Sequence, residues 1–290
     1  MFKKLLKILI LFLWISPGLA NDVPKIMTSF SVLQSLVQSI TEDTAEVESI
    51  VDRDQDPHVY VPTPQDVIKV MMSDVIFING LGFEGWINRL LSNAEYYGKL
   101  YTVSQGLEKI ALYDNEKNVD PHAWHSPLMV SVYLKNIYRA LIQHFPHYQD
   151  KYRNNYRRTQ LFLKVIHIWA KHLFQKIPKT KRKVITNHDA FQYFGKTYDI
   201  QFLAPLGIST EYEASAKDIA QLIDQIRNEN IRGLFFENIA SNTNLLKQIA
   251  KETNLSIRGT LFSDALPANE TYGLMFMHNT YEIYQGLHEH

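Results

Sequence analysis

Four side chains with metal-ligating chemistry stand at junctions between segments that read as strands and the segments that follow them. His58 follows the loop Asp56-Pro57, and His122 sits in Asp120-Pro121-His122-Ala123-Trp124. His188 comes just after Val184-Ile185-Thr186, and Asp264 lies in Phe262-Ser263-Asp264-Ala265-Leu266. Such junctions are where α/β folds build ligand sites. Three neutral imidazoles and one carboxylate suit a borderline divalent cation such as Zn²⁺, and would also hold Mn²⁺ or Fe²⁺. The four residues are separated by 64, 66 and 76 positions. Spacing that long specifies little by itself and gains weight only from the flanking motifs.

The remaining histidines read as structural. His144 and His147 flank Phe145-Pro146, and His167 and His172 are five apart, off the three- or four-residue spacing of neighbours on a helix. His278, His288 and His290 lie near the C-terminus. His125, three residues after His122, stays open as an accessory ligand. Gly80-Leu81-Gly82-Phe83-Glu84-Gly85-Trp86 lacks the spacing and the Lys of a phosphate loop, so its glycines read as a strand-to-helix turn. Neither H-E-x-x-H nor G-x-S-x-G occurs, which weakens metalloprotease and esterase readings.

The elements that must position these groups alternate. Strands are expected at Lys25–Phe30, Ala45–Val51, Val75–Asn79 and Tyr101–Val103, with helices at Ser31–Thr41, Thr63/Pro64–Met72 and Trp86–Leu91. Thr63 reads as the N-cap of the second helix and Pro64 as its first position. Strand–helix alternation of this kind indicates a parallel α/β lobe. After a helix over Leu128–His144 the pattern changes. His147 to about Ile177 contains no Gly or Pro and reads as one helix about 45 Å long, a connecting spine. Two helices broken near Lys164 are the alternative. Alternation then resumes: strands at Val184–Thr186, Gln201–Ala204, Gly233–Glu237 and Ile257–Thr260, and helices at His188–Tyr198, Ala216–Glu229 (Ser215 as N-cap), Asn242–Thr253 and Tyr272–Leu287.

Composition fits this reading. The 290 residues carry 30 Lys+Arg, 30 Asp+Glu and no Cys, with 46% hydrophobic residues. A formal charge of zero argues against a nucleic-acid partner held by a basic field. The missing Cys excludes disulfides, thiolate zinc sites, iron–sulfur clusters and lipid attachment through a thiol. Lys3, Lys4 and Lys7 precede an apolar run over Ile8–Ile15, then Pro17 and Gly18-Leu19-Ala20, the layout of a signal peptide cleaved after Ala20. The exported chain would carry 27 basic and 30 acidic residues, a charge of −3. Its divisions are expected at 21–145 (first lobe), 146–178 (linking helix) and 179–290 (second lobe).

The motifs together resemble the zinc/manganese solute receptors of bacterial ABC importers, cluster A-I. His58-Val59-Tyr60-Val61-Pro62-Thr63-Pro64-Gln65-Asp66 resembles the family's H-x-Y-x-P-T-P-x-D. Asn79-Gly80-Leu81-Gly82-Phe83-Glu84-Gly85-Trp86 resembles N-G-x-G-x-E-x-W, and Asp120–Trp124 resembles D-P-H-x-W. Ala216-Lys217-Asp218-Ile219, Phe236-Glu237-Asn238 and Ser263-Asp264-Ala265-Leu266 resemble later segments, so coverage runs from about Ile26 to Leu287. The resemblance implies two α/β lobes joined by one long rigid helix, a metal between them, and His58, His122, His188 and Asp264 as ligands. It also implies a membrane permease and an ATPase as partners, a monomer working in the periplasm, and binding and release rather than catalysis.

Departures from the pattern are specific. Val61 stands where an acidic or amide residue is frequent, Ala214 replaces a frequent Pro, and His125-Ser126 replaces a more usual Leu-Asp. The His/Asp-rich loop of many zinc receptors is missing: Ala111–Asn118 is short and contains no His. Relatives tuned to manganese often carry a carboxylate at the third ligand, so an imidazole at His188 favours zinc, with Mn²⁺ or Fe²⁺ as alternatives. An exported zinc hydrolase is the competing class; it would need a general base, for which Glu213 is the one nearby candidate.

Overall fold

A computed structural model describes residues 23–288 apart from 113–114, 212–213, 230, 232 and 240–242. The expected signal peptide and Glu213 lie outside the described residues.

The first lobe is built on β1 (Lys25–Phe30), β2 (Glu46–Val51), β3 (Val75–Ile78) and β4 (Lys99–Thr102), all parallel, in the order β2-β1-β3-β4. β3 is buried throughout, as its unbroken apolar run Val75-Ile76-Phe77-Ile78 requires of a strand covered on both faces. Around it lie α1 (Ser31–Thr41), α2 (Pro64–Met71) and α3 (Ile87–Asn93). α2 starts where the sequence places it. The Thr63 hydroxyl accepts from the Asp66 N–H while the Asp66 carboxylate accepts from the Thr63 N–H, a capping box with Pro64 in the first turn. Such a cap contributes about 1 kcal/mol.

An antiparallel pair follows, β5 (Ala111–Leu112) and β6 (Asn115–Val119), where the sequence suggested only a short loop. Its two strands are too short for a periodicity signal. α4 (Pro127–His144) then leads into α5 (Gln149–Gln175), 27 residues and about 40 Å long, unbroken at Lys164. α5 buries Tyr152, Asn155, Leu163, Ile166, Ala170 and Phe174 on one side and touches elements of both lobes.

The second lobe repeats the first. β7 (Lys183–Ile185), α6 (Gln192–Tyr198), β8 (Gln201–Leu203), α7 (Ala216–Glu229), β9 (Gly233–Glu237), α8 (Thr243–Thr253), β10 (Ile257–Leu261) and α9 (Tyr272–His288) form a parallel sheet ordered β10-β9-β7-β8. Read from the other edge this is the strand order of the first sheet. One hydrophobic core runs from Phe30 and Trp124 through Phe174 to Phe194 and Phe276, so the two lobes share their interior. A smaller cluster around Leu222, Ile226, Leu234 and Leu246 closes the outer side of the second sheet.

One boundary differs. α6 begins at Gln192, not at His188. His188 instead forms a parallel bridge with Leu206, and its carbonyl accepts from the Ala190 N–H and the Thr186 hydroxyl rather than from a helical turn, so extended backbone continues past β7.

Candidate metal centre

His58, His122, His188 and Asp264 converge between the lobes, one ligating atom from each lying within 4.8 Å of all the others. His58 Nε2 is 3.2 Å from His122 Nε2 and 3.3 Å from Asp264 Oδ2. His188 Nε2 is 3.1 Å from Asp264 Oδ2, and His122 Nε2 is 3.7 Å from Asp264 Oδ1. Atoms arranged about one cation at 2.0–2.1 Å in tetrahedral geometry sit about 3.3 Å apart, so these separations match a first coordination sphere. The His122, His188 and Asp264 side chains are at most 1% exposed, and His58 is 5%. Among the described residues, His188 Nε2 and both Asp264 carboxylate oxygens complete no well-formed hydrogen bond. Buried polar atoms without partners are costly; a divalent cation would satisfy all of them.

Two of the rings are fixed from behind. The His122 Nδ1 lies 2.8 Å from Asp120 Oδ1, which also accepts the His122 N–H at 2.9 Å. The His188 Nδ1 lies 2.5 Å from Glu237 Oε2, and the His188 N–H donates to Glu237 Oε1 at 2.9 Å. Carboxylates at Nδ1 fix the tautomer that presents Nε2 to a metal and make the ring a stronger donor. Glu237 is placed in turn by its own N–H, donated to Asn187 Oδ1. Asn238 brackets Asp264: its Oδ1 accepts the Ser263 N–H and its Nδ2 donates to the Ala265 carbonyl. The segment Phe236-Glu237-Asn238 thus braces two of the four groups.

The other motifs resolve into similar contacts. The Asp66 carboxylate gathers the Tyr60 and Thr63 hydroxyls with the Thr63 N–H, which shapes the chain just after His58. Trp86 donates its indole N–H to the Pro57 carbonyl at 2.8 Å, and Trp124 donates to the Ser263 carbonyl at 2.9 Å. Each tryptophan therefore holds the peptide group immediately before a candidate ligand. Buried Glu84 accepts from Ser29 Oγ and from the N–H groups of Asn79 and Gly80. Asn79 accepts from the Tyr133 hydroxyl and donates to the Pro121 carbonyl, beside His122. Gly80 has φ +81°, and a Cβ there would meet Thr102 Cγ2 at 2.3 Å, so this turn requires glycine.

Electrostatics couple the group. Burial works to lower the pKa of His188, but the Glu237 and Asp264 carboxylates outweigh it and hold the imidazole well above its ordinary value. Burial works to raise the pKa of Asp264, yet the His188 and His122 rings hold it well below the carboxylate range. His122 goes the other way, driven well down by burial. Burial pushes Asp120 up to about 7.

Outside the group of four, His125 is buried with its ring 4.3 Å from that of Phe191, and burial pushes its pKa down to about 3. His144 pairs with the Tyr101 hydroxyl, His167 with the Tyr198 hydroxyl, and His278 stacks on Phe262. Asp120, Glu237 and Asn238 are the supporting residues that reasoning from residue type did not single out. The signal available for them was their membership of motifs.

A cleft of about 1100 Å³ opens beside the group, lined among others by His58, Phe83, Thr102, Pro121 and Ser209. Hydrogen bonds also tie the two lobes to each other. Arg53 donates to the Pro267 and Glu270 carbonyls at 2.7 and 2.8 Å, and the Thr210 hydroxyl donates to Asp56 at 2.6 Å.

Comparison with known proteins agrees with this fold. Residues 26–286 match the family described as "ZnuA: Zinc-uptake complex component A periplasmic". The chain is 31% identical to the metal ABC transporter substrate-binding lipoprotein FimA of Streptococcus parasanguinis, covering 98% of this chain and 99% of that protein. It is 30% identical to the manganese ABC transporter substrate-binding lipoprotein PsaA of Streptococcus pneumoniae, covering 99% and 100%. Among solved structures, the periplasmic zinc binding protein TroA of Treponema pallidum superposes with a TM-score of 0.86 at 26% identity, covering 91% of this chain and 99% of that one. The Mn-bound periplasmic metal binding protein of Candidatus Liberibacter asiaticus does so with a TM-score of 0.81 at 27% identity, with the same coverage. The chain belongs to the zinc-uptake component A family, the metal-binding solute receptors of ABC importers.

Proposed function

We propose that this receptor captures one zinc ion through His58 Nε2, His122 Nε2, His188 Nε2 and the Asp264 carboxylate, and delivers it to a membrane permease driven by an ATPase. The observation that carries the reading is the convergence of three Nε2 atoms on one buried carboxylate, two of the rings braced by carboxylates at Nδ1. Four protein ligands fill a tetrahedral site and leave no open position for an attacking water, which suits capture and release. Three nitrogen donors to one oxygen favour zinc over the harder Mn²⁺. Manganese is the second reading, favoured by the name of the pneumococcal relative. The protein works as an exported monomer after loss of residues 1–20, with lobes at 21–145 and 179–290 and the linking helix at 146–178.

Because zinc outcompetes manganese at most nitrogen-rich sites, affinity alone is a poor arbiter. The test is the metal content of the untagged protein isolated from the envelope of cells grown with both metals, followed by stripping and titration. One zinc per chain, lost in His188→Ala, supports the reading. Manganese in the isolated protein would keep the site and overturn the choice of metal. No stoichiometric metal would overturn the site.

A further inference from the structure

The outer face of α5 has no role in holding the metal, yet its composition is unlike the rest of the molecule. The chain as a whole has a formal charge of zero, whereas α5 carries six Lys or Arg against one acid, Asp150. Asp150 is already paired with Arg153. Along the exposed side run Leu161, Val165 and Ile168, 63%, 56% and 55% exposed. Their spacing of four and three places them on one line of the helix. At 100° per residue, Arg157, Lys164 and Lys171 fall in a second line beside that strip, on the side turned away from the buried residues. All three are exposed and make no ion pair among the described residues. From Arg157 to Lys171 the face extends about 21 Å.

From this face we infer that the linking helix is a docking surface for an anionic phospholipid bilayer, lying along it without inserting across it. An aliphatic strip flanked by basic residues is the pattern of helices that rest at a bilayer surface, with alkyl groups against the interface and Lys or Arg stems reaching the phosphates. Charge selects this occupant over a second copy of the chain. Back-to-back pairing of two such faces would set basic lines together with no acid on the face to neutralise them. None of the described helices is long and apolar enough to cross a membrane, so contact stays at the surface. The proposed delivery role, on which this point rests, brings the receptor to the membrane, and the two streptococcal relatives are named lipoproteins. None of the 290 residues here is a Cys to which such a lipid could be attached. A basic strip on the spine would hold the receptor near the bilayer reversibly.

The test is co-sedimentation of the exported protein, as isolated from producing cells, with vesicles of equal parts phosphatidylglycerol and phosphatidylcholine. Binding is expected at low salt, with release at about 0.5 M salt, where the Debye length falls to a few ångströms, and none to pure phosphatidylcholine. Each base near an anionic surface contributes about fivefold. Arg157→Glu, Lys164→Glu and Lys171→Glu combined should therefore lower partitioning about a hundredfold or more, with zinc titration unchanged as the check on folding. Leu161→Ser, Val165→Ser and Ile168→Ser combined should weaken binding and make it more salt-sensitive. Absence of binding by the unaltered protein, or binding that survives the charge reversal, would overturn the inference. So would a dimer in sedimentation velocity that the serine variant abolishes, which would assign the face to a second copy.

Discussion

The indole N–H of Trp124 donates to the Ser263 carbonyl across 2.9 Å, which ties the segment carrying His122 to the segment carrying Asp264. The two residues are 139 positions apart, and both are fully buried. Trp124→Phe keeps most of the ring and removes only the donor, leaving a buried carbonyl unpaired at a cost of about 1–3 kcal/mol. A melting temperature lower by about 3–10 °C is expected for a protein of this size, with faster metal release, read by calorimetry and by chelator chase. Unchanged values in both would show that the bond does not couple the two segments.

Glu237 acts on the metal through His188. Glu237→Gln keeps the shape and removes the charge opposite Nδ1, so affinity should fall about 10–100-fold. Asp120→Asn should act similarly through His122. Competition titration against a chromogenic chelator measures both, and loss of less than about threefold in each would rule out these carboxylates as tuning groups.

Proton release follows from the direction of the shifts. His188 is held well above its ordinary pKa and carries a proton at neutral pH in the metal-free protein, whereas His122 is driven well below its own and carries none. The bound metal must displace the His188 proton, so the logarithm of the affinity should rise by about one per pH unit near neutrality. Isothermal titration in two buffers of different ionisation enthalpy should show about one proton released from this group. Release should fall in Glu237→Gln, where the raised pKa loses part of its cause.

Metal choice should respond at the third ligand. His188→Glu replaces a nitrogen donor with a harder oxygen donor, and the ratio of zinc to manganese affinity should fall at least about tenfold. Direct competition between the two ions, read by elemental analysis, decides this. An unchanged ratio would mean that the site selects by geometry rather than by donor type.

Arg53 ties together the two segments that flank His58 and Asp264. Its two hydrogen bonds to the Pro267 and Glu270 carbonyls reach from the loop before His58 to the chain after Asp264. Charge-assisted bonds of this kind are worth about 1.5–3 kcal/mol. Arg53→Ala should therefore release the metal about tenfold faster and lower the melting temperature by at least as much as Trp124→Phe. Stopped-flow release at unchanged rate would show that Arg53 is no latch.

The chain's architecture was legible in one dimension because its signals are local. Unbroken apolar runs of strand length, Thr63-Pro64 opening a helix, and thirty residues without Gly or Pro indicated the two lobes and the linking helix. Boundaries were missed where long-range pairing overrides local preference: His188 bridges to Leu206, so extended backbone runs past β7 and α6 starts late. The short β5–β6 pair left no period to detect. The sequence by itself determined which residue types were available to a metal and that they lay at strand ends. Only the tertiary structure decided that three Nε2 atoms and one carboxylate meet between the lobes. It alone showed that Asp120 and Glu237 stand behind two of the rings, and that two tryptophans hold the peptides before His58 and Asp264. The physical reason is that the His188 ring is set by Glu237, 49 positions away, and the Trp86 and Trp124 bonds span 29 and 139 positions. No local pattern encodes those bonds until the two sheets are packed together.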